Sequence, residues 1–520
     1  MADAFLSADG SQLNIPADAI GNLHRATATP DSTPTHRSAL VMGARPPRGA
    51  GVLPLQWYAS RDAKKSREIP HWLQEESNRS FTDLIPYDEL SDPALALRRQ
   101  LDRYDAAVDT SLSESEVDEE LAEEKRLLQL GQDVFYKYSG GILLALLHFS
   151  LASGFASPRL SGILRATNYL IPSKRTAADT NASAERAAEK LKKDGDKTWR
   201  RLIETTQWVL DVMESVSALD VYHSTDDPLA FKDTSGRLKK FGGVGRHASL
   251  QVRFLHARVR HRVRSLPMEP GLVPLNQADL LVTLLSFSAA PLASLARMGL
   301  SLSQDEQEAY LGVWRHVGWL TGVDDRLIRR CLSSTAHADR ALWSSVRSLF
   351  NEEQIKLERP PTYSILQSIA DRPPFHTSFA LHCALTTSLV GEPLSDALGL
   401  PRPSRLVRLK VWTTYVGMWF TTIFDAFYPR RQWQVQRLRV SRSILRCLIQ
   451  WNLGMKHSLF QGHATGDAGF ENVTREDGQT LQDVKVYHYL MREMVLVYVA
   501  LGLAACGATF CLLCASPLLV

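Results

Sequence analysis

Apolar residues recur at helical spacing along most of this chain, and no stretch shows the strict alternation of a half-buried strand. The pattern therefore predicts an all-α protein. A first helix is expected at Asp92-Pro93, with proline in its opening turn and Leu95, Leu101 and Tyr104 following. The acidic run Glu114 to Glu124 reads as a solvated helix face leading into LLQLGQDVFYKYSGG. GGILLALLHFSLASGFA, residues 140–156, is apolar but short for a membrane span, which makes it a buried helix with His148 as a core histidine. Residues 176–196 are rich in Ala, Lys and Asp and form either a polar helix or a flexible insertion. A long helix follows around Trp199–Met213, then a loop with Asp226-Asp227-Pro228. Asn276 with Asp279 marks one helix start. Ser303 with Glu306 forms a capping box before a helix carrying Tyr310, Trp314 and Val317. Prolines at 373, 374, 401 and 403 separate a second helical part. It runs through KVWTTYVGMWFTTIFDAFYP into the basic stretch Arg430–Arg446, which reads as a solvated helix face.

The C-terminus carries the clearest signal. From Met494 to Val520 there is no charged residue. Taken as helix to Ser516, the segment is about 35 Å long, enough for a hydrocarbon core of about 30 Å. Lys485 and Arg492 precede it and no charge follows, which suits a tail anchor over residues 494–516 with the body on the cytosolic side of an intracellular membrane. The alternative is a buried C-terminal helix. Cys511 and Cys514 form a C-x-x-C inside this apolar segment, where neither redox nor zinc chemistry is expected.

Composition narrows the picture further. At 520 residues the chain has room for two to four units. The expected divisions are a disordered segment over residues 1–70, a helical domain over 71–345, a helical part over 346–490 that packs on it, and the anchor. A net charge of +4 over this length does not point to nucleic acid as a partner. Six scattered cysteines, half of them in the last fifteen residues, make no disulfide framework and suggest a reducing compartment. The N-terminus has no basic segment followed by an apolar run, so no secretory signal is expected.

Familiar catalytic signatures are missing: there is no G-x-S-x-G, P-loop, H-E-x-x-H or paired C-x-x-C. FGGVG at Phe241–Gly245 follows no strand and reads as a flexible lead into the next helix. In that helix, RHASLQVRFLHARVRHRVRS, residues Ala248, Val252, Leu255, Val259 and Val263 share an apolar face. Arg246, Arg253, Arg260 and Arg264 share the opposing basic one. His256 falls on the border, one turn from Arg253 and from Arg260. A haem ligand suits this position, since the imidazole can enter an apolar pocket while the arginines pair with propionates. An ordinary amphipathic helix with a histidine at the waterline fits the same spacing. The preceding helix, TWRRLIETTQWVLDVM, aligns Arg201, Thr205, Trp208 and Val212. A buried Arg201 would need a partner, whether a haem propionate, bound oxygen or a carboxylate of the fold.

Several segments together resemble the family of endoplasmic-reticulum-bound oxygenases of mycophenolic-acid type and rubber oxygenases (latex-clearing proteins). They are LGQDVFYKYSGG, RLIETTQWV, GGVGRHASLQVRFLHARVR, PLNQADLLVTLLSFS and GLSLSQDEQEAYLGVWRHVGWLTGV, in the family's order, over about Asp92 to Val323. The resemblance implies a globin-like helical core holding a b-type haem within residues 71–345. It makes His256 the iron ligand and places Arg201 and Thr205 near the haem as catalytic residues, with Arg253 and Arg260 as cofactor-binding neighbours. It also implies use of O₂ on a small lipophilic substrate, such as an isoprenoid chain, at the endoplasmic reticulum. The rubber-cleaving branch has lysine beside the threonine, whereas Glu204 precedes Thr205 here. The glutamate base of that branch is assigned to neither Glu185 nor Glu189. The alternatives are a non-catalytic, tail-anchored helical adaptor that retains the fold, and a peroxidase-like haem protein.

Overall fold

A computed structural model describes residues 114–167, 170, 184–219, 243–263, 275, 277–323, 325–349, 361–373, 375–458, 470–472 and 477–515. The expectations for residues 1–70, Asp92-Pro93, the loop at 226–228 and Asn276 lie outside them. Helix α1 (Glu114–Lys137) and helix α2 (Ser139–Gly154) meet at a 78° bend, where Tyr138 leaves helical geometry at φ −112°, ψ 20°. A π-helical turn, Ala145–Leu151, sits within α2. There follow α3 (Pro158–Thr167), α4 (Ala184–Val212), α5 (Val244–Val263), α6 (Gln277–Phe287), α7 (Ala289–Arg297) and α8 (Gln304–Thr321). After them come α9 (Asp325–Cys331), α10 (Thr335–Leu349), α11 (Thr362–Ile369), α12 (Phe379–Val390) and α13 (Glu392–Ala397). The C-terminal part is α14 (Arg405–Phe427), α15 (Arg431–Asn452) and α16 (Asp477–Ala515). The all-α reading holds. The departure from it is a short antiparallel pair, β1 (Lys456–Ser458) and β2 (Phe470–Asn472), with His457 opposite Glu471.

Local signals explain several boundaries. Ser303 Oγ accepts from the Glu306 backbone N–H at 3.1 Å, and Glu306 Oε2 accepts from the Ser303 N–H at 2.9 Å, so the expected capping box starts α8. Gly322 ends that helix at φ 98°, a left-handed cap open to glycine. The polar stretch before Trp199 is not separate from the helix after it. From Ala184 both belong to α4, 29 residues long.

One cluster of buried side chains runs from Phe135 and Tyr136 on α1 through Val209 on α4 and Trp314 on α8 to Ile449 on α15. Elements on both sides of residue 345 thus share a core. The apolar pair α6–α7 has span-like hydropathy, yet two-thirds of that stretch is buried inside the protein. Helix α16 behaves differently. Its Leu490 packs against Phe424 and Trp433, and beyond this contact Val495, Leu496, Val499, Leu501 and Leu503 are exposed. Residues 482–504 are long and apolar enough to cross a membrane, so the buried-helix alternative for the C-terminus does not describe this segment.

A close backbone approach joins α4 to α5. A Cβ at Gly245 would lie 2.7 Å from the Asp211 carbonyl oxygen and 2.8 Å from Val212 Cα. One at Gly243 would overlap the backbone of Ser217 and Ala218. The FGGVG glycines therefore serve a tight crossing, which corrects the expectation of a flexible lead. The seam is locked by Ser249, whose hydroxyl donates to the Gly245 carbonyl at 2.8 Å and accepts from Trp208 Nε1 at 3.1 Å. Gln132 of α1 closes it, donating to the carbonyls of Val212 (2.9 Å) and Ser215 (2.8 Å) at the end of α4. We expect Gly245→Ala to destabilise the protein by about 1–3 kcal/mol through overpacking. Gly162→Ala, with open space around it in α3, should be neutral or stabilising by about 0.5–1 kcal/mol. Equal melting temperatures for the two variants would refute this account of the seam.

Candidate functional site

Helices α2, α4, α5, α6 and α8 and the C-terminal helices enclose a cavity of about 1330 Å³. The side of α4 that meets it carries Thr205 and Trp208. Helix α5 contributes Val252, Leu255, His256 and Val259. The apolar face expected of α5 is thus a cavity wall, and His256, at its border, is half-buried on that wall rather than at a solvent boundary. The opposing face is not solvated either. Arg246 and Arg253 are buried, as are His247, Ser249 and Gln251. Trp208, Phe287 and Trp314 form an aromatic floor, with Trp208 edge-on to Phe287 at 5.3 Å and to Trp314 at 5.8 Å. Tyr310 steadies it by donating to the Phe287 carbonyl at 2.9 Å.

The residues expected around His256 separate in space. Thr205 is on the wall, and its hydroxyl donates back to the Arg201 carbonyl at 3.0 Å. Arg201 itself is not on the wall. Its guanidinium meets Glu204 at 2.9 Å, and Arg200 approaches the other carboxylate oxygen at 3.6 Å. Glu204 is 2% exposed, and a buried carboxylate requires such partners, so a carboxylate of the fold is among the partners of Arg201. Arg253 runs to the C-terminal end of α8, where its side chain packs beside Gly322 and a guanidinium complements the helix dipole. The side chain of Arg260 lies outside the described residues, as does that of Glu185. Glu189 is exposed. Among the described residues no Asp or Glu lines the cavity.

Sequence reasoning did not identify a second histidine on the wall. His148 is fully buried, as expected, and its Nδ1 lies 3.0 Å from Thr386 Oγ1. Its Nε2 lies 3.4 Å from Nδ1 of His382 on α12, with both rings on the cavity. The signal was weak, a histidine inside each of two apolar helices 234 residues apart. Arg372, which the proline-rich break concealed, also reaches the wall and pairs with Asp196 of α4 at 2.6 Å.

Burial sets the charge state of these imidazoles. It holds His148 well below the usual histidine range, helped by His382. It pushes His382 down to about 4 against the opposing pull of Asp371 and the Ile369 carbonyl. His316 on α8 falls to about 3, from burial first and Arg246 second. All three are neutral at pH 7.

The family model for the catalytic domain of ER-bound oxygenase mpaB/B′ and rubber oxygenase matches residues 161–420, half of the chain. The chain belongs to this family. Its members are oxygenases, so residues 161–420 are an oxygenase catalytic domain. The match contains Arg201, Thr205, Arg253, His256 and Arg260 and continues past residue 345 into α14. Among solved structures, a latex clearing protein in its closed state aligns with a TM-score of 0.41 and 17% identity, over 79% of this chain and 95% of that chain. Comparison with curated proteins gave no match.

The buried imidazoles make stability depend on pH. Unfolded histidines take up protons below about pH 6.5, whereas the folded ones resist until about pH 4 or lower. Their contribution is complete above pH 6.5 and is lost as pH falls. The melting temperature should therefore be lower at pH 5 than at pH 7.5, each fully buried imidazole costing about 2 kcal/mol at pH 5. His316→Gln should flatten this dependence. A wild-type melting temperature that is the same at both pH values would contradict it.

Proposed function

We propose that this chain is a membrane-tethered, haem-dependent oxygenase of lipophilic, isoprenoid-like substrates, with His256 as the ligand of a b-type haem. The observation that carries the reading is the position of His256, an imidazole on the wall of a large apolar cavity that no described carboxylate enters. The residues present fit the group. Iron is bound by a neutral imidazole, and the surrounding Val252, Leu255 and Val259 offer the dry contact that a porphyrin face needs. Small-molecule sites usually occupy about 300–1,000 Å³. This larger space suits a planar cofactor together with an apolar chain. When bound, the haem supplies the activation of O₂.

The chain's own residues account for the rest. The seam between α4 and α5 brings together the two helices that place Thr205, Trp208 and His256 on the cavity wall. Thr205 spends its hydroxyl proton on the Arg201 carbonyl and so offers an oxygen lone pair to the cavity. Arg201 serves as a positioning residue, holding Glu204 beside the wall and Thr205 on it. The aromatic floor gives a rigid surface for an unsaturated apolar substrate, and the apolar walls exclude water. The exposed apolar length of α16, with Lys485 and Arg492 before it, supports attachment to the endoplasmic reticulum with the body in the cytosol.

Full-length protein, solubilised in detergent from haem-replete cells, should show a Soret band and oxygen uptake with an unsaturated isoprenoid. His256→Ala should abolish the band while the melting temperature stays close to wild type. Thr205→Val should keep the band and lower oxygen-dependent turnover about tenfold, the equivalent of one hydrogen bond. A folded but colourless wild-type protein would instead support the adaptor. A Soret band with turnover driven only by peroxide would support the peroxidase-like alternative.

A further inference from the structure

Helix α14 carries an apolar face that the protein leaves uncovered. Leu406, Leu409, Thr413, Val416 and Phe420 follow one another at spacings of three and four and so share one side, which Phe427 extends one further pair of turns. Leu406 is 74% exposed and Leu409 54%. Trp412 (60% exposed) and Trp419 border the same side. The opposite side is engaged, with Val411 packed on Ala384 and Leu385 of α12 and Phe424 packed on Trp433 of α15. Asp425 is buried in an ion pair with Arg437, which fixes α14 to α15. The helix is therefore held to the body along one side and presents an oily, tryptophan-bordered strip along the other.

Two observations say what covers it. First, the strip is continuous with the exposed end of α16. Tyr498 donates its hydroxyl to the Phe420 carbonyl, and its ring lies 5.1 Å from Phe420 and 5.9 Å from Phe427. Beyond Tyr498, Val499, Leu501 and Leu503 are exposed in turn. Second, the charge has one sign. Arg405, Arg408 and Lys410 are exposed in the opening turns, Arg408 also meets Glu392 of α13 at 3.2 Å, and α14 itself has no acidic residue between Arg405 and Phe424. A second copy packed with its α14 parallel would bring the same cationic turns together, whereas lipid phosphates complement them in any arrangement. Tryptophan beside an apolar strip with basic residues at its start is the composition that the bilayer interface selects.

We propose that α14 lies in the membrane interface beside α16, its Leu406–Phe427 strip sunk among lipid chains and its basic first turns at the phosphates. This rests on the reading of α16 as the membrane anchor and gives that anchor a second, in-plane contact. The cavity supplies a reason for such a contact. Thr414, Met418 and Thr421 of α14 and Val484, Tyr487 and Met491 of α16 all line it, so one of its sides is built from the two helices that meet the lipid. An apolar substrate dissolved in the bilayer would reach the cavity there.

Tryptophan fluorescence tests this, because α16 contains no tryptophan whereas α14 has two of the chain's eleven. Full-length protein would be reconstituted into vesicles of phosphatidylcholine and phosphatidylserine, with and without chain-brominated phosphatidylcholine, and separated by flotation. The protein should float, its emission should be quenched by the brominated lipid, and W412F/W419F should reduce that quenching about twofold or more while flotation persists. Flotation with quenching that the double variant leaves unchanged overturns the proposal and spares the anchor. Self-crosslinking through Leu409→Cys on vesicles, with unchanged quenching, overturns it in favour of a second copy. Failure to float overturns the anchor and this proposal with it.

Discussion

Everything at the cavity depends on how closely α5 can approach α4. Gly245 carries no side-chain atom that would meet the α4 backbone, Gly243 lies as closely against the turn at Ser217 and Ala218, and Ser249 links the two helices through Trp208. His256 lies some three turns along α5 from Gly245, where a methyl group would meet the Asp211 carbonyl oxygen at 2.7 Å and Val212 Cα at 2.8 Å. The seam thus sets where the helix that carries the histidine meets α4.

The distribution of charge follows from the same need for a dry interior. Glu204 is held by Arg200 and Arg201, Asp425 by Arg437, and Glu306 by Lys137 at 2.7 Å, so each of these carboxylates has a cationic partner and none lines the cavity. The titratable groups on the wall are imidazoles, the cations Lys137, Arg372 and Arg437, and two tyrosines, and burial keeps His148 and His382 uncharged. Buried ion pairs of this kind contribute little net stability, but leaving any member unpaired costs about 3–5 kcal/mol. Their value here lies in what they exclude. A largely apolar space without a stray carboxylate favours an apolar guest and penalises an unpaired anion.

How far the sequence disclosed this can be judged from particular residues. Helical period, the Ser303–Glu306 box and the uncharged C-terminal run were readable because each is a local pattern, complete within a turn or within one continuous segment. The α5 pattern also marked His256, since Val252, Leu255 and Val259 are its neighbours on the same helix. Periodicity assigned Arg201 and Arg253 to faces, but long side chains choose their partners by reach. Arg201 bent to Glu204, three residues away, and Arg253 ran to Gly322, which no spacing rule connects to it. His148 and His382 stand 234 residues apart in chains of apolar residues, and their meeting is a property of the tertiary fold alone. The seam glycines were misread for a related reason, because a glycine needed for a close crossing and one needed for flexibility look alike until the opposing backbone is known.

The boundary between catalytic domain and C-terminal extension is also less sharp than residue counting suggests. The oxygenase match ends at residue 420, within α14, yet Ile444, Leu445 and Leu448 of α15 and Met491 of α16 lie on the cavity wall beyond it. At the other end Leu146, Leu147 and His148 of α2 precede the match and line the cavity too. A domain trimmed to residues 161–420 would open that apolar space to water on two sides and lose the contrast in dielectric that keeps its imidazoles neutral. Helix α16 makes the dependence explicit, since the helix that closes the cavity at Met491 emerges from the body within two turns, at Val495 and Leu496. Any force that draws its apolar end into a bilayer acts on the cavity wall through one continuous helix. In the proposed reading of α16 as an anchor, attachment and enclosure are therefore a single mechanical element.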